Sequence, residues 1–212
     1  MSVSIPVVRR LPRYYRFLKL LKSNGIVRIS SKKLAEMMEL GASQIRQDLN
    51  CFGGFGQQGY GYNVEALLSE IEEILGLDKS LKTVLIGAGN LGKVLTLHMN
   101  FMQSGFDLIG IFDSKKKTIG KAINGKEVLS VDKLEAFCKK HKPEAAILTL
   151  PKEAAQGVAD KLISLGIKGF WNFSHYDLSS PYPDIAVENV HLGDSLMTLS
   201  YRIKNLGEKA DI

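Results

Sequence analysis

Three glycines with the spacing G-x-G-x-x-G could do chemistry, because such a loop offers bare backbone N–H groups to phosphate oxygens. They directly follow an apolar run, Thr83 to Ile86, and open a segment with helical spacing. In this setting the first glycine makes a tight turn, the second admits a pyrophosphate, and the third lets helix pack on strand. The segment therefore predicts a dinucleotide site with the loop residues Gly87, Ala88, Gly89, Asn90, Leu91 and Gly92.

A carboxylate downstream narrows the choice of nucleotide. Asp113 ends the next apolar run, 21 positions beyond Gly92, where it can accept hydrogen bonds from the adenosine ribose hydroxyls. Its negative charge would repel the 2′-phosphate of NADP(H), although the positive charges of Lys115, Lys116 and Lys117 partly offset this repulsion. NAD(H) is therefore the predicted cofactor. Another ligand of Rossmann-like folds, such as an acyl-CoA, remains an alternative.

The positive charge of the chain is concentrated at its N-terminus. Residues 1–50 hold ten Lys or Arg against three Asp or Glu, whereas residues 51–80 hold one against five. Arginine binds phosphate through a planar fork of donors, and six of the seven arginines lie in the first 46 residues. This distribution favours nucleic-acid binding by the N-terminal segment.

Two short helical patterns in this basic segment predict a helix-turn-helix. Serines at positions 30 and 31 can cap a helix through Glu39, Gly41 turns the chain, and Ser43 can cap a second helix, Gln44 to Asn50. The second helix would bury Ile45 and Leu49 and expose Gln44, Arg46, Gln47 and Asp48. Arginine can donate two hydrogen bonds to guanine, and glutamine can pair with adenine. We therefore expect this helix to read the major groove.

Further elements complete an N-terminal winged-helix domain. A helix with apolar Leu11, Tyr14, Leu18 and Leu21 is predicted over residues 9–24, and a glycine-rich hairpin over Gly53 to Tyr62 forms a candidate wing. Asn63 can cap a helix from Val64 to Leu75, with Gly76 at its end. The pattern changes between residues 77 and 82, so we predict a domain of residues 1–78.

The remaining chain alternates strands with helices, which predicts a parallel sheet covered on both faces. The strand-like runs are Thr83 to Ile86, Leu108 to Phe112, Ala145 to Leu150, Ile167 to Trp171 and Ile185 to Val190. The predicted helices between them are Leu91 to Gln103, Val131 to Lys140 and Glu153 to Leu165. The predicted fold class is α/β, with a Rossmann-type domain over residues 79–191 and a terminal helix over residues 192–212.

Other classes of site have little support in the sequence. Two cysteines, Cys51 and Cys138, and scattered histidines predict neither a disulfide framework nor a metal site. No catalytic residue is assigned, and Tyr15 and Lys19, which match a Tyr-x-x-x-Lys pair, precede the nucleotide domain. No apolar run reaches the length of a membrane span, and no signal core begins the chain, so a cytoplasmic protein without membrane contact is expected.

A winged helix joined to an NAD-type Rossmann domain resembles the Rex family of redox-sensing transcriptional repressors. The resemblance covers nearly the whole chain. It rests on Arg10 to Arg16, Ser43 to Leu49, Phe52-Gly53 through Val64, Gly87 to Gly92, Ala146 to Pro151, Gly166 to Gly169, Asn172-Phe173 and Val187 to Val190.

The resemblance implies a homodimer that binds a palindromic operator in double-stranded DNA at a low NADH/NAD⁺ ratio and releases it when NADH binds. It places Thr149, Pro151, Asn172 and Phe173 on the nicotinamide side of the cofactor. The DNA-binding residues expected are Arg10, Ser31, Lys33, Ser43, Gln44, Arg46, Gln47, Gln57 and Gln58.

Some positions depart from the family pattern. Gln47 and the wing residues Gln57 and Gln58 stand where basic residues are common, which predicts weaker and less salt-dependent DNA binding. His98 and His191 stand where the family has a tyrosine and an aspartate that, with an arginine like Arg16, discriminate NADH from NAD⁺. Because imidazole titrates near neutrality, we hypothesise that the NADH response depends on pH.

The terminal helix indicates a dimer independently of the resemblance. Its apolar residues step by 4, 3, 4 and 3 and form one seam, which would need a partner surface or intramolecular packing. In the family, this helix is swapped between the two subunits of a dimer. The seam residues are Leu192, Leu196, Leu199, Ile203 and Leu206.

The alternative to a DNA-binding repressor is a small NAD-dependent oxidoreductase with a basic interaction domain.

Overall fold

The structure, a computed structural model, describes residues 4–51, 56–57, 60–179 and 181–206, and the chain divides into two compact units, Met1–Lys79 and Ser80–Ile212. The helices of the first unit are α1 (Ile5–Val8), α2 (Leu11–Ser23), α3 (Ser31–Met38), α4 (Ala42–Asn50) and α5 (Val64–Leu75). Its strands are β1 (Arg28–Ile29), β2 (Gly56–Gln57) and β3 (Gly61–Asn63).

The first unit is a winged helix-turn-helix, as predicted. Its helices share one core because each carries an apolar stripe at helical spacing. The strands pair antiparallel in the order β1-β3-β2, and β2 and β3 form the wing hairpin after α4. The core includes Leu11, Tyr14, Leu18, Leu21, Leu34, Met38, Ile45, Leu49, Leu67 and Ile71.

The helix ends agree with the sequence in α5 and differ in α2. Asn63 caps α5 by accepting a hydrogen bond from the Ala66 N–H at 2.9 Å, and Gly76 ends it in a left-handed conformation. The helix predicted over residues 9–24 is α2, which begins two residues later, at Leu11, and ends one residue earlier, at Ser23; the short helix α1 before it was not predicted. Pro12 lies in the first turn of α2, where its missing N–H costs no hydrogen bond.

The turn between α3 and α4 also differs from the prediction. Helix α3 ends one residue early because Glu39 adopts the left-handed backbone, with φ 51°. Gly41, predicted to turn the chain, is instead the extended N-cap of α4, and its carbonyl accepts the Ile45 N–H at 3.1 Å. The predicted cap at Ser43 is therefore wrong, since Ser43 lies inside the helix.

The second unit is built on one sheet. Its strands are β4 (Leu81–Ile86), β5 (Phe106–Asp113), β6 (Ala122–Ile123), β7 (Lys126–Ser130), β8 (Ala145–Leu148), β9 (Gly169–Asn172) and β10 (Ala186–Asn189). Its helices are α6 (Asn90–His98), α7 (Leu134–His141), α8 (Lys152–Ser164) and α9 (Leu192–Lys204).

The strand order is that of a Rossmann fold, which confirms the predicted class. The order is β10-β9-β8-β4-β5-β7-β6, and all neighbours are parallel except β6 and β7. The direction of chain progression reverses between β4 and β8. Ligands of such sheets bind in the crevice at the carboxyl ends of the strands at this reversal.

Two strands of this unit were not predicted, and two predicted elements end earlier than expected. The unpredicted strands are β6 at the edge of the sheet and β7 next to it, where polar residues are tolerated and only Val128 of β7 is buried. Helix α6 ends at His98 rather than Gln103, since the chain turns Phe101 into the core. Strand β8 ends at Leu148, before the predicted Leu150.

Helix α9 buries none of its side chains in this chain. The predicted seam is exposed along its length: Leu196 is 67% exposed and Leu206 is 72% exposed. Met197 and Tyr201, on other sides of the helix, are also exposed, at 67% and 71%. A helix that is apolar on several sides is normally covered by other protein.

Candidate DNA-reading helix and nucleotide site

Helix α4 has one exposed polar face. Ser43, Arg46, Gln47 and Asn50 are all exposed and follow the spacing i, i+3, i+4, i+7, so they project from the same side of the helix. Ile45 and Leu49 are buried, as predicted. Asn50 was not among the predicted DNA contacts, although the helical period counted from Ser43 indicates it.

Asp48 is buried, so the prediction that it points outward is wrong. Its side chain is only 1% exposed and accepts hydrogen bonds from three side chains. Arg10 donates from Nε and Nη2 at 2.6 and 2.7 Å, the Tyr14 hydroxyl at 2.9 Å, and the Gln44 amide at 2.8 Å. These bonds offset the cost of burying a charge, which is why the helix tolerates a carboxylate on its inner face.

The hydrogen bonds to Asp48 also set its ionisation. Burial alone would raise its pKa, but the bonds from Arg10, Gln44 and Tyr14 outweigh burial and hold the pKa of this carboxyl below its ordinary value. Burial, followed by the bond to Asp48, raises the pKa of the Tyr14 hydroxyl. Asp48 therefore acts as a charged acceptor and Tyr14 as a neutral donor at neutral pH.

Three predicted DNA contacts lie on α3 and α4, and two of them touch. Arg46 donates from Nη1 to the Ser31 hydroxyl at 3.4 Å, which links the start of α3 to α4. Lys33 is exposed, and its ammonium lies 3.6 Å from a Glu36 carboxylate oxygen. Ser30, rather than Ser31, caps α3, since its hydroxyl accepts the Lys33 N–H at 3.1 Å.

Arg10 differs from these contacts in its surroundings. Arg10 uses two of its donors on Asp48, which leaves less of its guanidinium for phosphate. In the wing, the backbone of Gln57 pairs with Gly61, while Gln58 lies outside the described residues.

The glycine loop follows β4 and forms a cradle of bare backbone. Gly87 has a φ of +103°, and a Cβ there would collide with the Thr149 carbonyl oxygen. A Cβ on Gly92 would collide with the Gly87 carbonyl oxygen. At Gly89, by contrast, a Cβ would meet nothing within 4 Å. The two outer glycines are thus required for packing, whereas the middle one leaves open space.

That open space suits an anion. Gly89 is the N-cap of α6, and no side chain caps the helix there. The first N–H groups of a helix lack partners within it and carry partial positive charge. Asn90 and Gly89 are exposed. The residues present therefore fit a pyrophosphate at the start of α6.

Asp113 fastens the loop from the neighbouring strand. It is 6% exposed, and its two oxygens accept the Ala88 N–H at 2.8 Å and the Lys115 N–H at 2.7 Å. Each carboxylate oxygen has a second lone pair, so these bonds leave acceptor capacity for ribose hydroxyls. The structure thus gives Asp113 a positioning role that the sequence did not predict.

Thr149 connects the two strands on either side of the reversal. It follows β8, and its hydroxyl donates to the Gly87 carbonyl at 2.6 Å, while its N–H donates to the Ile86 carbonyl at 2.9 Å. Pro151, also predicted at the site, is the exposed N-cap of α8. Both residues lie at the carboxyl end of β8, where the crevice is expected.

Asn172 and Phe173 lie at the end of β9 and are both buried. The Asn172 amide donates to the Tyr176 carbonyl at 2.6 Å and to Asn189 at 2.8 Å, and its oxygen accepts two bonds from Ser174. All four hydrogen-bonding positions of the amide are therefore filled within the protein. Asn172 fixes the loop after β9, and Phe173 packs against Trp171 at 4.6 Å between ring centroids.

The three residues predicted for the switch are exposed. Arg16 lies on α2, and His98 is the last residue of α6. His191 is the N-cap of α9, and its Nδ1 lies 3.4 Å from Nδ1 of His175. The sequence does not predict this pair of imidazoles, because the two residues are 16 positions apart.

Other classes of site find no support in the described residues. None of their helices is long and apolar enough to cross a membrane. In the same part of the chain, no three His, Cys, Asp or Glu residues come together as a metal site would require. Cys51 is exposed at the end of α4, and Cys138 is buried in α7.

Comparison with protein families assigns both units. Residues 2–50 match the model described as "Putative DNA-binding protein N-terminus", and residues 78–176 match the model described as "CoA binding domain". These matches cover the helix-turn-helix and most of the Rossmann sheet.

Several curated relatives named redox-sensing transcriptional repressor Rex match over nearly the full chain. The relative from Caldanaerobacter subterraneus subsp. tengcongensis is 55% identical over 95% of this chain and 89% of its own. The relative from Clostridioides difficile is 50% identical over 96% of both chains. The relative from Clostridium acetobutylicum is 47% identical over 99% of this chain and 98% of its own.

Solved structures of RSP, described as a Rex-family repressor, have the same fold. The crystal structure of RSP has a TM-score of 0.89 at 50% identity, covering 98% of this chain and 96% of RSP. A complex of RSP with beta-NAD⁺ and operator DNA has a TM-score of 0.89 at 51% identity, over 99% and 97%. A complex with beta-NADH has 0.88 at 48% identity, over 100% of both. At this identity and coverage, the chain belongs to the Rex family of redox-sensing transcriptional repressors.

Proposed function

We propose that this protein is an NAD(H)-responsive repressor that binds a palindromic operator in double-stranded DNA and releases it when NADH binds. One observation carries the proposal. RSP, which matches this chain from end to end at about half identity, has been solved both with beta-NAD⁺ and operator DNA and with beta-NADH.

The first unit supplies a surface suited to DNA. A major groove admits one α-helix, and α4 presents an exposed face with a guanidinium, amides and a hydroxyl. The excess of Lys and Arg in residues 1–50 supports phosphate contacts around it. We infer that Arg46 and Gln47 face bases, while Arg10 acts mainly through Asp48.

The second unit supplies a binding site for the nucleotide rather than a reaction centre. The open space at Gly89 and the uncapped start of α6 suit the pyrophosphate, and the spare lone pairs of Asp113 suit the ribose. The relatives are named as repressors, so we infer that NAD(H) acts here as a signal and is not turned over.

Helix α9 supports a homodimer. Its apolar residues lie on several sides and are all exposed in one chain, so a second copy that covers α9 from more than one side would bury them. A two-fold symmetric dimer also matches a palindromic operator. Leu199→Glu should give monomers in sedimentation.

The test is a binding titration with a palindromic A/T-rich duplex taken from upstream of the protein's own gene. At fixed salt, NADH should release the duplex at concentrations where NAD⁺ leaves the complex intact. Because coupling between two sites is reciprocal, the duplex should weaken NADH binding by the same factor. An affinity for the duplex that neither NADH nor NAD⁺ changes would overturn the proposal. Coenzyme A is titrated as a third ligand in the same experiment, since residues 78–176 match a CoA-binding model.

A further inference from the structure

We propose that Asp48 is a positioning residue that fixes the amide orientation of Gln44, so that α4 reads an adenine on one particular strand. This inference rests on the proposed DNA-binding function. Gln44 and Asp48 are one helical turn apart, with Nε2 of Gln44 at 2.8 Å from Oδ1 of Asp48.

The carboxylate decides which end of the amide faces it. An ionised carboxylate accepts hydrogen bonds and donates none, so only the nitrogen of Gln44 can face Asp48. Arg10 and Tyr14 hold the carboxylate itself, because Oδ2 accepts from Arg10 Nε and from the Tyr14 hydroxyl, and Oδ1 accepts from Arg10 Nη2. Asp48 is therefore a fixed, buried acceptor against which Gln44 can rest in one orientation.

The remaining groups of Gln44 form an ordered pair. The amide has two N–H donors and one oxygen, and Asp48 uses one donor. One N–H and Oε1 are left to bind a base edge, and the contact with Asp48 fixes the order in which this donor and this acceptor lie along it. Gln44 is half-buried, so part of its side chain remains accessible at the edge of the exposed face of α4.

This order matters because the major groove of an A·T pair is not symmetric. Across it lie the adenine N7 acceptor, the adenine N6 donor, the thymine O4 acceptor and the methyl group. A glutamine pairs with N7 and N6 by donating to the first and accepting from the second. If the amide turned over in the same place, its N–H would donate to the thymine O4 of a T·A pair, whereas the fixed amide sets its oxygen against that O4 acceptor. A fixed amide therefore distinguishes A·T from T·A.

Gln47 provides an internal contrast on the same helix. Its side chain is exposed, and in the described part of the chain no side-chain hydrogen bond holds its amide. The same side-chain chemistry thus occurs in an anchored form at position 44 and in an unanchored form at position 47.

The experiment uses the full-length protein and a duplex obtained by selection from randomised DNA. Each base pair of a half-site is then reversed in turn, and Gln44→Ala identifies the pair that Gln44 reads. The wild type should prefer A·T over T·A there by about five- to one-hundred-fold. Replacing this adenine by 7-deazaadenine should weaken the wild type and leave Gln44→Ala unaffected.

Asp48→Asn is the decisive variant. If its oxygen keeps the Arg10 Nε and Tyr14 bonds, its NH₂ takes the place of Oδ1, where it faces both Arg10 Nη2 and Gln44. The Arg10 Nη2 bond is then lost, and Gln44 must turn its oxygen inward. The preference for A·T should be lost or reversed at this pair only. Tyr14→Phe is the matched control: it removes another bond to Asp48 but keeps the one to Gln44, so the preference should persist.

A second measurement does not depend on the folding of Asp48→Asn. In the wild-type protein, the side-chain N–H groups of Gln44 should exchange with solvent more slowly than those of Gln47 by NMR. Equal exchange rates, or a folded Asp48→Asn with an unchanged preference, would overturn the inference. If the wild type selects no sequence at all, the proposed function itself fails.

Discussion

The two units of this protein each contain a buried aspartate near their candidate binding surface, but the two aspartates hold different kinds of structure. Asp48 accepts hydrogen bonds from the side chains of Arg10, Tyr14 and Gln44. Asp113 accepts from the backbone N–H groups of two residues. The DNA-reading helix therefore depends on oriented side chains, and the nucleotide loop depends on oriented backbone.

This difference follows from what each surface must recognise. Base edges differ in their order of donors and acceptors, so a protein reads them with side chains whose identity and orientation are fixed. A pyrophosphate offers oxygens that any backbone N–H can bind, provided that no Cβ intervenes. Substitutions should consequently damage the first unit through lost side-chain bonds and the second unit through added atoms.

Removing the side-chain acceptor should have the largest effect on folding. Asp48→Ala would leave Arg10 and Tyr14 without their partner, and we expect the free energy of unfolding to fall by about 3 kcal/mol in urea titrations. The estimate lies at the low end for buried pairs because Arg10 is 31% exposed and can regain water. Glu65→Ala, which removes an exposed pair with Lys22, should leave stability nearly unchanged.

The same variant has a pH signature. The folded pKa of Asp48 lies below its ordinary value, so its contribution to stability is present above the unfolded pKa of about 3.9 and is lost as pH falls through the folded value. The stability difference between wild type and Asp48→Ala should be constant near neutrality and shrink in acid. A difference that grows in acid would contradict this assignment.

Adding an atom to the nucleotide loop should distinguish folding from binding. Gly92→Ala places a Cβ against the Gly87 carbonyl and should destabilise the protein by about 1–3 kcal/mol. Gly89→Ala has ordinary backbone angles and open space, so it should fold normally. It should nevertheless weaken NADH binding by roughly five- to one-hundred-fold in calorimetric titration, because its methyl occupies the place of the phosphate. Unchanged NADH binding would exclude this loop as the site.

The same comparison explains what the sequence can predict. The glycine loop is predictable because its determinants are local: three glycines and the strand before them set the backbone. The polar cluster at Asp48 is not predictable, because Arg10 lies 38 residues away in the sequence and no local pattern indicates that the two side chains pair. The helical period does place Asp48 on the same face as Ile45 and Leu49. A charged residue is nevertheless expected to face solvent, so the sequence favours an exposed Asp48.

The same reason applies to the sheet. Its central strands are predictable since they are continuous apolar runs buried on both faces. Strand β7, next to the edge strand β6, is not predictable, because its residues are mostly polar and partly exposed. The hydrogen bonds that fill the Asn172 amide come from Tyr176, Ser174 and Asn189, and the last of these depends on the pairing of β9 with β10. Long-range contacts of this kind leave no signal in one sequence.

A milder change should test the backbone scaffold of the nucleotide loop. Thr149→Val keeps the shape of the side chain but removes the hydroxyl that donates to the Gly87 carbonyl at 2.6 Å. We expect a loss of about 1 kcal/mol in the free energy of unfolding. Thr83→Val is the matched control, because it removes a buried hydroxyl bond to the Leu81 carbonyl at the start of β4, away from the loop. If Thr149 positions the loop, only its variant should also weaken NADH binding.

The smallest effect expected concerns the contact between His175 and His191, where the nucleotide unit also uses side chains. Nδ1 of His191 lies 3.4 Å from Nδ1 of His175, so the contact joins the loop after Phe173 to the start of α9. His175→Gln combined with His191→Asn removes both imidazoles, and we expect a small shift in the NADH concentration that releases DNA. The pH dependence of the NADH response, hypothesised from His98 and His191, stays a prediction, and a wild-type dose-response that is identical at about pH 6 and pH 8 would refute it.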